Sequence, residues 1–438
     1  MPTDPEMPRS RRTRSFLAAF VRTEAAGGLA LTLAALVAVV LANSPWHSGF
    51  AAVWELRAPR ALGTLGSRTG PADLRGWVND GLMSVFFLLA GLELARERSE
   101  GVLRRPRDAA LPLLAAAGGM AGAACVYAIA TAGTPAVHGW GVPTATDIAF
   151  ALGALALLGR RVPPALRVFV LTLAVADDIG SVVLLGALYA RHVDVTALAG
   201  ALGAVAAMIG GRYIASSGHA GSGRRAPSGR RRPSGRREAL SRRLGLASVW
   251  PYLAFGVVLW IFLARAGVEP ALAGVAVGLA LPGEPARRER IESALHPVSA
   301  YFVLPVFALA NAGVAFGALD LARPGVAAAL GGILAARVAG KLAGITAASW
   351  LAVRLGLARK PSELTWGKLA GGAAMAGIGF TVPLLAASLA FARAPDLLAA
   401  ARAGLLGGSV LAFLAGAAIL SLTRRPFTSG PPGQGTRN

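Results

Sequence analysis

Two short stretches, Pro143-Thr144-Ala145-Thr146-Asp147-Ile148-Ala149-Phe150 and Ala176-Asp177-Asp178-Ile179-Gly180, set three carboxylates inside otherwise apolar sequence. A charge at the centre of a bilayer is costly on every scale, so an ionisable residue there marks a functional site. The polar turn Gly159-Arg160-Arg161-Val162-Pro163-Pro164 separates the stretches, with Asp147 fourteen positions before Arg161 and Asp177 sixteen after it. At about 1.5 Å per helical residue, both acids lie roughly 21 to 24 Å from that turn, in a hydrocarbon core about 30 Å thick. Allowing for turn residues outside the hydrocarbon, both reach the midplane region. Adjacent helical residues point about 100° apart, so Asp177 and Asp178 face different partners.

The rest of the chain fits that reading. Of 438 residues, 55% are hydrophobic and only 15% charged. The apolar residues fall in Ala-, Leu- and Gly-rich runs of about twenty, the length of a membrane-spanning helix. A transmembrane barrel needs short alternating segments instead. The fold class is therefore all-α and polytopic. The net charge of +22 would suggest a nucleic-acid partner in a soluble protein. Here the arginines collect in loops, where they set topology and meet anionic lipid headgroups, and no nucleic-acid motif accompanies them. The lone Cys125 excludes an intrachain disulfide and a cysteine metal site, and is expected to be a small buried residue.

Twelve spans are expected, near 25-43, 76-95, 109-133, 138-158, 166-190, 193-214, 248-265, 269-282, 297-318, 325-354, 364-390 and 402-423. Residues 1-24 form an N-terminal segment and 424-438 a tail, both cytoplasmic. With that orientation Arg96, Arg98, Arg104, Arg105 and Arg107, then Arg160, Arg161 and Arg167, then Arg287, Arg288 and Arg290, all fall on the inner side. The first outer loop, about 44-75, permits a hairpin through Val53-Trp54-Glu55-Leu56 or a plain loop. Residues 216-247 are rich in Gly, Ser, Pro and Arg and read as a flexible basic cytoplasmic loop, serving as a linker or as a lipid- or partner-binding segment.

Only three of the 44 basic residues are lysines, Lys341, Lys360 and Lys368, and Lys341 falls in the middle of the tenth span. A desolvated amine can lose its proton whereas a guanidinium cannot, which favours a titrating role for Lys341 alongside that of counter-ion to an aspartate. Arg337, one turn earlier, could snorkel, pair with an acid or sit in a water-filled funnel. The fourth span is interrupted at Pro143, and the eleventh at Gly371-Gly372, Gly377-Ile378-Gly379-Phe380-Thr381 and Pro383. Broken spans at matching places in two halves point to a transporter binding site. Asp147 and Lys341 can compensate the exposed half-helix ends. Carboxylates, threonine hydroxyls and carbonyls are hard ligands for a small hard cation, and the same carboxylates take protons, so the residues themselves suggest cation/proton antiport.

At these residues the chain resembles the NhaA family of sodium/proton antiporters, which is known for inverted repeats. The resemblance runs through Thr146-Asp147-Ile148-Ala149-Phe150, Asp177-Asp178, Asn79-Asp80-Gly81-Leu82-Met83, Gly91-Leu92-Glu93, Leu295-His296-Pro297, Ala310-Asn311-Ala312-Gly313-Val314, Gly340-Lys341 and Gly377-Ile378-Gly379-Phe380-Thr381. It implies one antiporter membrane domain over 25-423, with inverted-topology repeats and spans 4 and 11 crossing. It also implies an electrogenic, pH-regulated exchanger of the bacterial inner membrane that moves Na⁺ or Li⁺ against H⁺, with no cofactor beyond these ions. By position, Asp178 would be the main cation and proton carboxylate, Asp177 would pair with Lys341, and Thr146 would border the site. Asp147 and Thr381 would stand where the broken spans cross. A pH-response cluster would fall on Glu93, Arg96, Glu97, Glu292 and His296, with His296 equally placed to start a helix before Pro297. A homodimer would form through the first outer loop.

The chain departs from the family pattern at Glu269-Pro270, Ser293, Arg337, Pro383 and the long basic loop. Rival functions are a K⁺/H⁺ exchanger, a passive cation channel and an intramembrane aspartyl protease. The last needs a Gly-x-Gly-Asp motif, and Ala174-Val175-Ala176 precedes Asp177 instead.

Overall fold

The computed structural model describes residues 9–57, 73–99, 106–159, 162–188, 194–220, 249–281 and 285–423. The basic loop from 221 to 247, the tail 424–438 and residues 58–72 of the first outer loop lie outside the described residues.

The chain is an all-α membrane protein. Among the described residues, six helices are long and apolar enough to cross a membrane, and four shorter apolar helices accompany them. In chain order the helices are α1 (Arg9–Ala42), α2 (His47–Trp54), α3 (Met83–Ser99), α4 (Pro106–Ala130), α5 (Ile148–Leu157), α6 (Pro164–Leu188), α7 (Val195–Ala220) and α8 (Trp250–Ala266). They continue with α9 (Leu272–Ala280), α10 (Pro285–Val298), α11 (Leu304–Asn311), α12 (Pro324–Ala335), α13 (Lys341–Arg354), α14 (Trp366–Met375), α15 (Thr381–Ala390) and α16 (Pro395–Leu422). Proline opens α4, α6, α10, α12 and α16, where its missing N–H would be unpaired anyway and its fixed φ suits the first turn. Gly267 closes α8 at φ 72°, a left-handed conformation that glycine adopts without a Cβ penalty.

Several expectations are corrected. Cys125 is exposed, on the outer surface of α4, not buried. Val53 and Trp54 belong to the last turn of α2 and form no strand; among the described residues the loop shows one bridge, Arg57 with Asp73. Leu74 N–H also donates to the Leu56 carbonyl at 3.0 Å, so the two ends of the loop are tied together. The first helix begins at Arg9, well before the apolar run. The eighth span is helical only over Leu272–Ala280, about 14 Å of helix. The helix of the ninth begins at Pro285, twelve residues before 297, and runs straight through Pro297. A π-helical stretch, Ser299–Val303, follows that proline at once and takes up the register lost with its N–H.

Two glycine contacts fix the packing. On α4, Gly118 and Gly122 oppose Gly340 and Gly344, so that a Cβ on Gly344 would lie 2.2 Å from the Gly118 carbonyl. On α3 and α9 the same device recurs, with a Cβ on Gly274 falling 2.1 Å from the Ser84 carbonyl. Lipid offers no hydrophobic drive between helices, so backbone approach of this kind supplies van der Waals contact in its place. Apolar cores follow these pairings. One lies among α3, α7, α8 and α9, with Leu92, Met208, Leu259 and Val277. A second lies among α4, α5, α6, α13, α14 and α16, with Leu155, Leu173, Ile345 and Leu369. A third gathers around Phe87, Phe307 and Phe380.

Candidate functional site

The site begins where helix stops. Val142–Thr144 is a short 3₁₀ turn, Ala145 to Asp147 is non-helical, and α5 starts at Ile148. The eleventh span breaks likewise, between the end of α14 at Met375 and the start of α15 at Thr381. The two breaks meet: Asp147 N–H donates to the Ile378 carbonyl at 3.0 Å. Buried backbone without partners would cost several kcal/mol each in hydrocarbon, so every group here must be served.

Asp147 serves two helices at once. Its Oδ1 accepts the Phe150 N–H at 3.3 Å, capping α5, and its Oδ2 accepts the Thr381 N–H at 3.2 Å and the Thr381 hydroxyl at 2.9 Å, capping α15. Both N-termini carry partial positive charge, which one carboxylate offsets. Across the break, the Ser409 hydroxyl of α16 accepts from Gly379 N–H at 3.3 Å and lies 3.0 Å from the Gly379 carbonyl. Sequence reasoning passed over Ser409; its one signal is a hydroxyl in the middle of an apolar helix.

Behind the crossing sits an ion pair. Asp177 and Lys341 have no exposure, and Lys341 Nζ donates to Asp177 Oδ2. Lys341 Nζ also donates to the Thr146 hydroxyl at 3.1 Å. That hydroxyl lies 2.7 Å from both Asp177 Oδ2 and the Ala376 carbonyl, and its single proton can serve one of them. The lysine stem packs beside Gly119, whose closest neighbour is Ile345: an added Cβ there would stand 2.6 Å from Ile345 Cγ1.

Asp178 is placed differently. Its Oδ1 has no hydrogen-bond partner, and its side chain lines a cavity that Asp147 and Thr381 also line. The same cavity is lined further out by Glu93, Arg96, Glu97 and His296, and at the α10–α11 join by Ser299 and Ala300. Glu292 is 5% exposed and takes part through Arg96, which donates to its Oε1. Asp177, Thr146 and Lys341 are not in the cavity wall, so the cavity reaches one aspartate of the pair and leaves its neighbour behind.

Arg337 completes the electrostatics. It lies in a π-helical stretch, Ala336–Gly340, directly before Lys341, and it is fully buried. None of its three side-chain nitrogens has a hydrogen-bond partner. It feels the charges of Asp147 and Asp177 without bonding either. Close glycines admit it: a Cβ on Gly379 would lie 2.1 Å from its Nη2. The centre thus holds three carboxylates, one lysine and one arginine, with Asp147 and Asp178 in the cavity wall and Asp177 behind it. Such a set can hold a small hard cation or protons by turns. Among the described residues, no group of three or more His, Cys, Asp or Glu could hold a resident metal ion.

The family model described as Na+/H+ antiporter 1 matches residues 18–219 and 238–420. The Na(+)/H(+) antiporter NhaA of Acidovorax sp. (strain JS42) is 42% identical over 423 residues, covering 94% of this chain and 93% of that protein. The Na(+)/H(+) antiporter NhaA of Rhizorhabdus wittichii is 40% identical over 420 residues, covering 94% of this chain and 99% of that one. Na(+)/H(+) antiporter NhaA 3 of Acidiphilium cryptum is 37% identical over 464 residues, covering 96% and 92%. Bacterial relatives and a multi-spanning helical architecture support an inner-membrane location. Matched along nearly its whole length by the family model and by relatives of full length, the chain belongs to the NhaA family of Na⁺/H⁺ antiporters.

Proposed function

We propose that the chain exchanges Na⁺ or Li⁺ for protons at Asp178, with Asp177 and Lys341 as its switchable partners. The observation that carries this reading is the unpartnered Asp178 Oδ1 at the end of a cavity, next to an Asp177 already held by Lys341 and Thr146.

A small hard cation reaching Asp178 needs several oxygen ligands. Asp177, the Thr146 hydroxyl and nearby carbonyls can supply them once Asp177 leaves Lys341. That move strands a buried ammonium, which is strongly unfavourable, so Lys341 gives up its proton as the cation binds. Asp178 releases the other. One cation then trades for two protons, and each cycle carries net charge. The empty carrier keeps its side, because bare buried carboxylates are costlier to carry through the change of access than neutralised ones.

The wider reading is of twelve spans in two inverted six-span repeats, with the broken fourth and eleventh spans crossing at Asp147 and Thr381. Both termini and the cavity mouth face the cytoplasm, and Glu93, Arg96, Glu97, Glu292 and His296 tune the response to cytoplasmic pH. The first outer loop joins two copies. Arginine-rich inner loops support the orientation, and the Asp147–Ile378 backbone bond supports the crossing.

Proton release tests the proposal directly. Adding Na⁺ or Li⁺ to purified protein in weak buffer should acidify the medium, and the Asp178→Asn variant should release no protons. Cation-evoked release of wild-type size from Asp178→Asn would move the site elsewhere.

A further inference from the structure

Three buried oxygens on one short stretch of α6 lack a hydrogen-bond partner among the described residues: Asp177 Oδ1, Asp178 Oδ1 and the hydroxyl of Ser181. The two carboxylates belong to the exchange site, whereas Ser181 has no role so far. It is 3% exposed. A serine or threonine inside an apolar helix commonly folds its hydroxyl back onto the carbonyl one turn earlier. Thr172 does so on α6 itself, donating to the Val168 carbonyl at 2.9 Å. Ser84 on α3 and Ser409 on α16 do the same, at 2.6 and 2.8 Å. The Ser181 hydroxyl makes no such bond and is left for another partner. Thr346 and Ser349 are in the same state, but they stand on α13, which carries no acid.

Helix geometry sets Ser181 over the gap between the two aspartates. At about 100° per residue, Asp178 is turned about 100° from Asp177, and Ser181, four residues on, about 40°. Ser181 thus lies one turn beyond both, at the i+4 position from one and the i+3 position from the other, where Cβ atoms are about 5–6 Å apart. The cavity runs along the same face: Leu171, Val175 and Asp178 line it at helical spacing, and Ser181 follows three residues after the last of them. α4 closes the adjoining side, because a Cβ on Gly180 would lie 2.6 Å from Met120 Cε.

We propose that Ser181 is a ligand of the transported cation, its hydroxyl adding to the oxygens of Asp177 and Asp178, and that it weights the site toward Na⁺ over Li⁺. The inference rests on exchange at Asp178. Oxygens bound to one ion of about calcium's size, which is also that of Na⁺, lie about 2.3–2.6 Å from it and so within roughly 5 Å of one another. Side chains three and four positions apart on a helix can meet that limit. A hydroxyl binds a cation through a lone pair without giving up its proton, so the number of protons traded per cation is unchanged. The larger ion takes the fuller set of oxygens, as Ca²⁺ does beside Mg²⁺, so the loss of one oxygen weakens Na⁺ more than Li⁺.

The test is cation-evoked proton release from the purified full-length protein, titrated with Na⁺ and with Li⁺ at one pH, for wild type, Ser181→Ala and Asp178→Asn. Thermal midpoints are taken in buffer free of both ions. Ser181→Ala should need several-fold more Na⁺ for half-maximal release, a smaller increase in Li⁺, and should release as many protons as wild type at saturation. Its cation-free midpoint should equal or exceed that of wild type, because the lost hydroxyl has no bond to abandon. Wild-type half-saturation for both ions would overturn the ligand, and an equal rise for both would overturn the selectivity. A lowered midpoint, or a variant that does not fold, would reveal a structural partner for the hydroxyl and overturn the proposal as well. Asp178→Asn keeps the two readings apart. Release that survives in it fails the Asp178 site, whereas its loss beside an unaltered Ser181→Ala fails Ser181 alone.

Discussion

At the residue scale the centre is defined by unequal treatment of neighbours. Asp177 is bonded by Lys341 and Thr146, whereas Asp178, about 100° round the helix, opens on the cavity. That division is legible in the sequence, because spacing sets the depth and helix geometry forbids equivalence. The rarity of lysine likewise singles out Lys341. Arg337 is visible there as an anomaly, but its place is not, since only the folded chain brings Gly379 and Gly408 against it. A fixed positive charge in that position repels a bound cation. Arg337→Met should therefore raise the apparent affinity for Na⁺ several-fold, read as a fall in the half-saturating concentration at fixed pH. Its thermal midpoint should not fall, because the replaced charge has no bonded partner to abandon. Arg337→Lys should behave as wild type in affinity. A purely packing role would instead lower the midpoint and leave the affinity unchanged.

At the element scale the broken helices are held by caps and the intact ones by glycines. Asp147→Ala removes caps from α5 and α15 together, at about 1 kcal/mol each, and should lower the thermal midpoint of the detergent-solubilised protein clearly more than Asp147→Asn, which keeps one acceptor oxygen. Ser409→Ala leaves the Gly379 N–H without its acceptor, a loss of about 1–3 kcal/mol that the same melt would register. Gly344→Val drives a side chain into the Gly118 carbonyl, with a penalty of about 1–3 kcal/mol or more, and should cut the yield of folded protein. Gly317→Ala, with open space around it, is the matched control. Sequence tells these elements apart unevenly. Pro143 and the glycines of the eleventh span announce the breaks, because residues that unwind a helix at that depth must line a cavity or be covered by protein. The π-helical stretches Trp77–Leu82, Ser299–Val303 and Ala336–Gly340 carry no such signal: a helix with one widened turn has almost the same hydrophobic pattern as one without. Pro297 points to a helix start, yet the helix runs through it because the π stretch after it absorbs the misfit.

At the scale of the whole molecule, one cavity brings a cluster of charged side chains and the carboxylates of the broken-helix crossing into a common wall. The mouth holds Glu93, Arg96, Glu97 and His296, and the deep end holds Asp147, Asp178 and Thr381. Coupling follows if Asp178 is the common stop for cation and proton. The decisive measurement is cation-induced dequenching of a ΔpH-sensitive dye in everted membrane vesicles, with Na⁺, Li⁺ or K⁺ added at stepped pH. Wild-type vesicles should respond to Na⁺ and Li⁺, and vesicles bearing equal amounts of folded Asp178→Asn should respond to neither. A response to these ions that survives Asp178→Asn, or a folded wild type silent to both at every pH, would contradict exchange at Asp178.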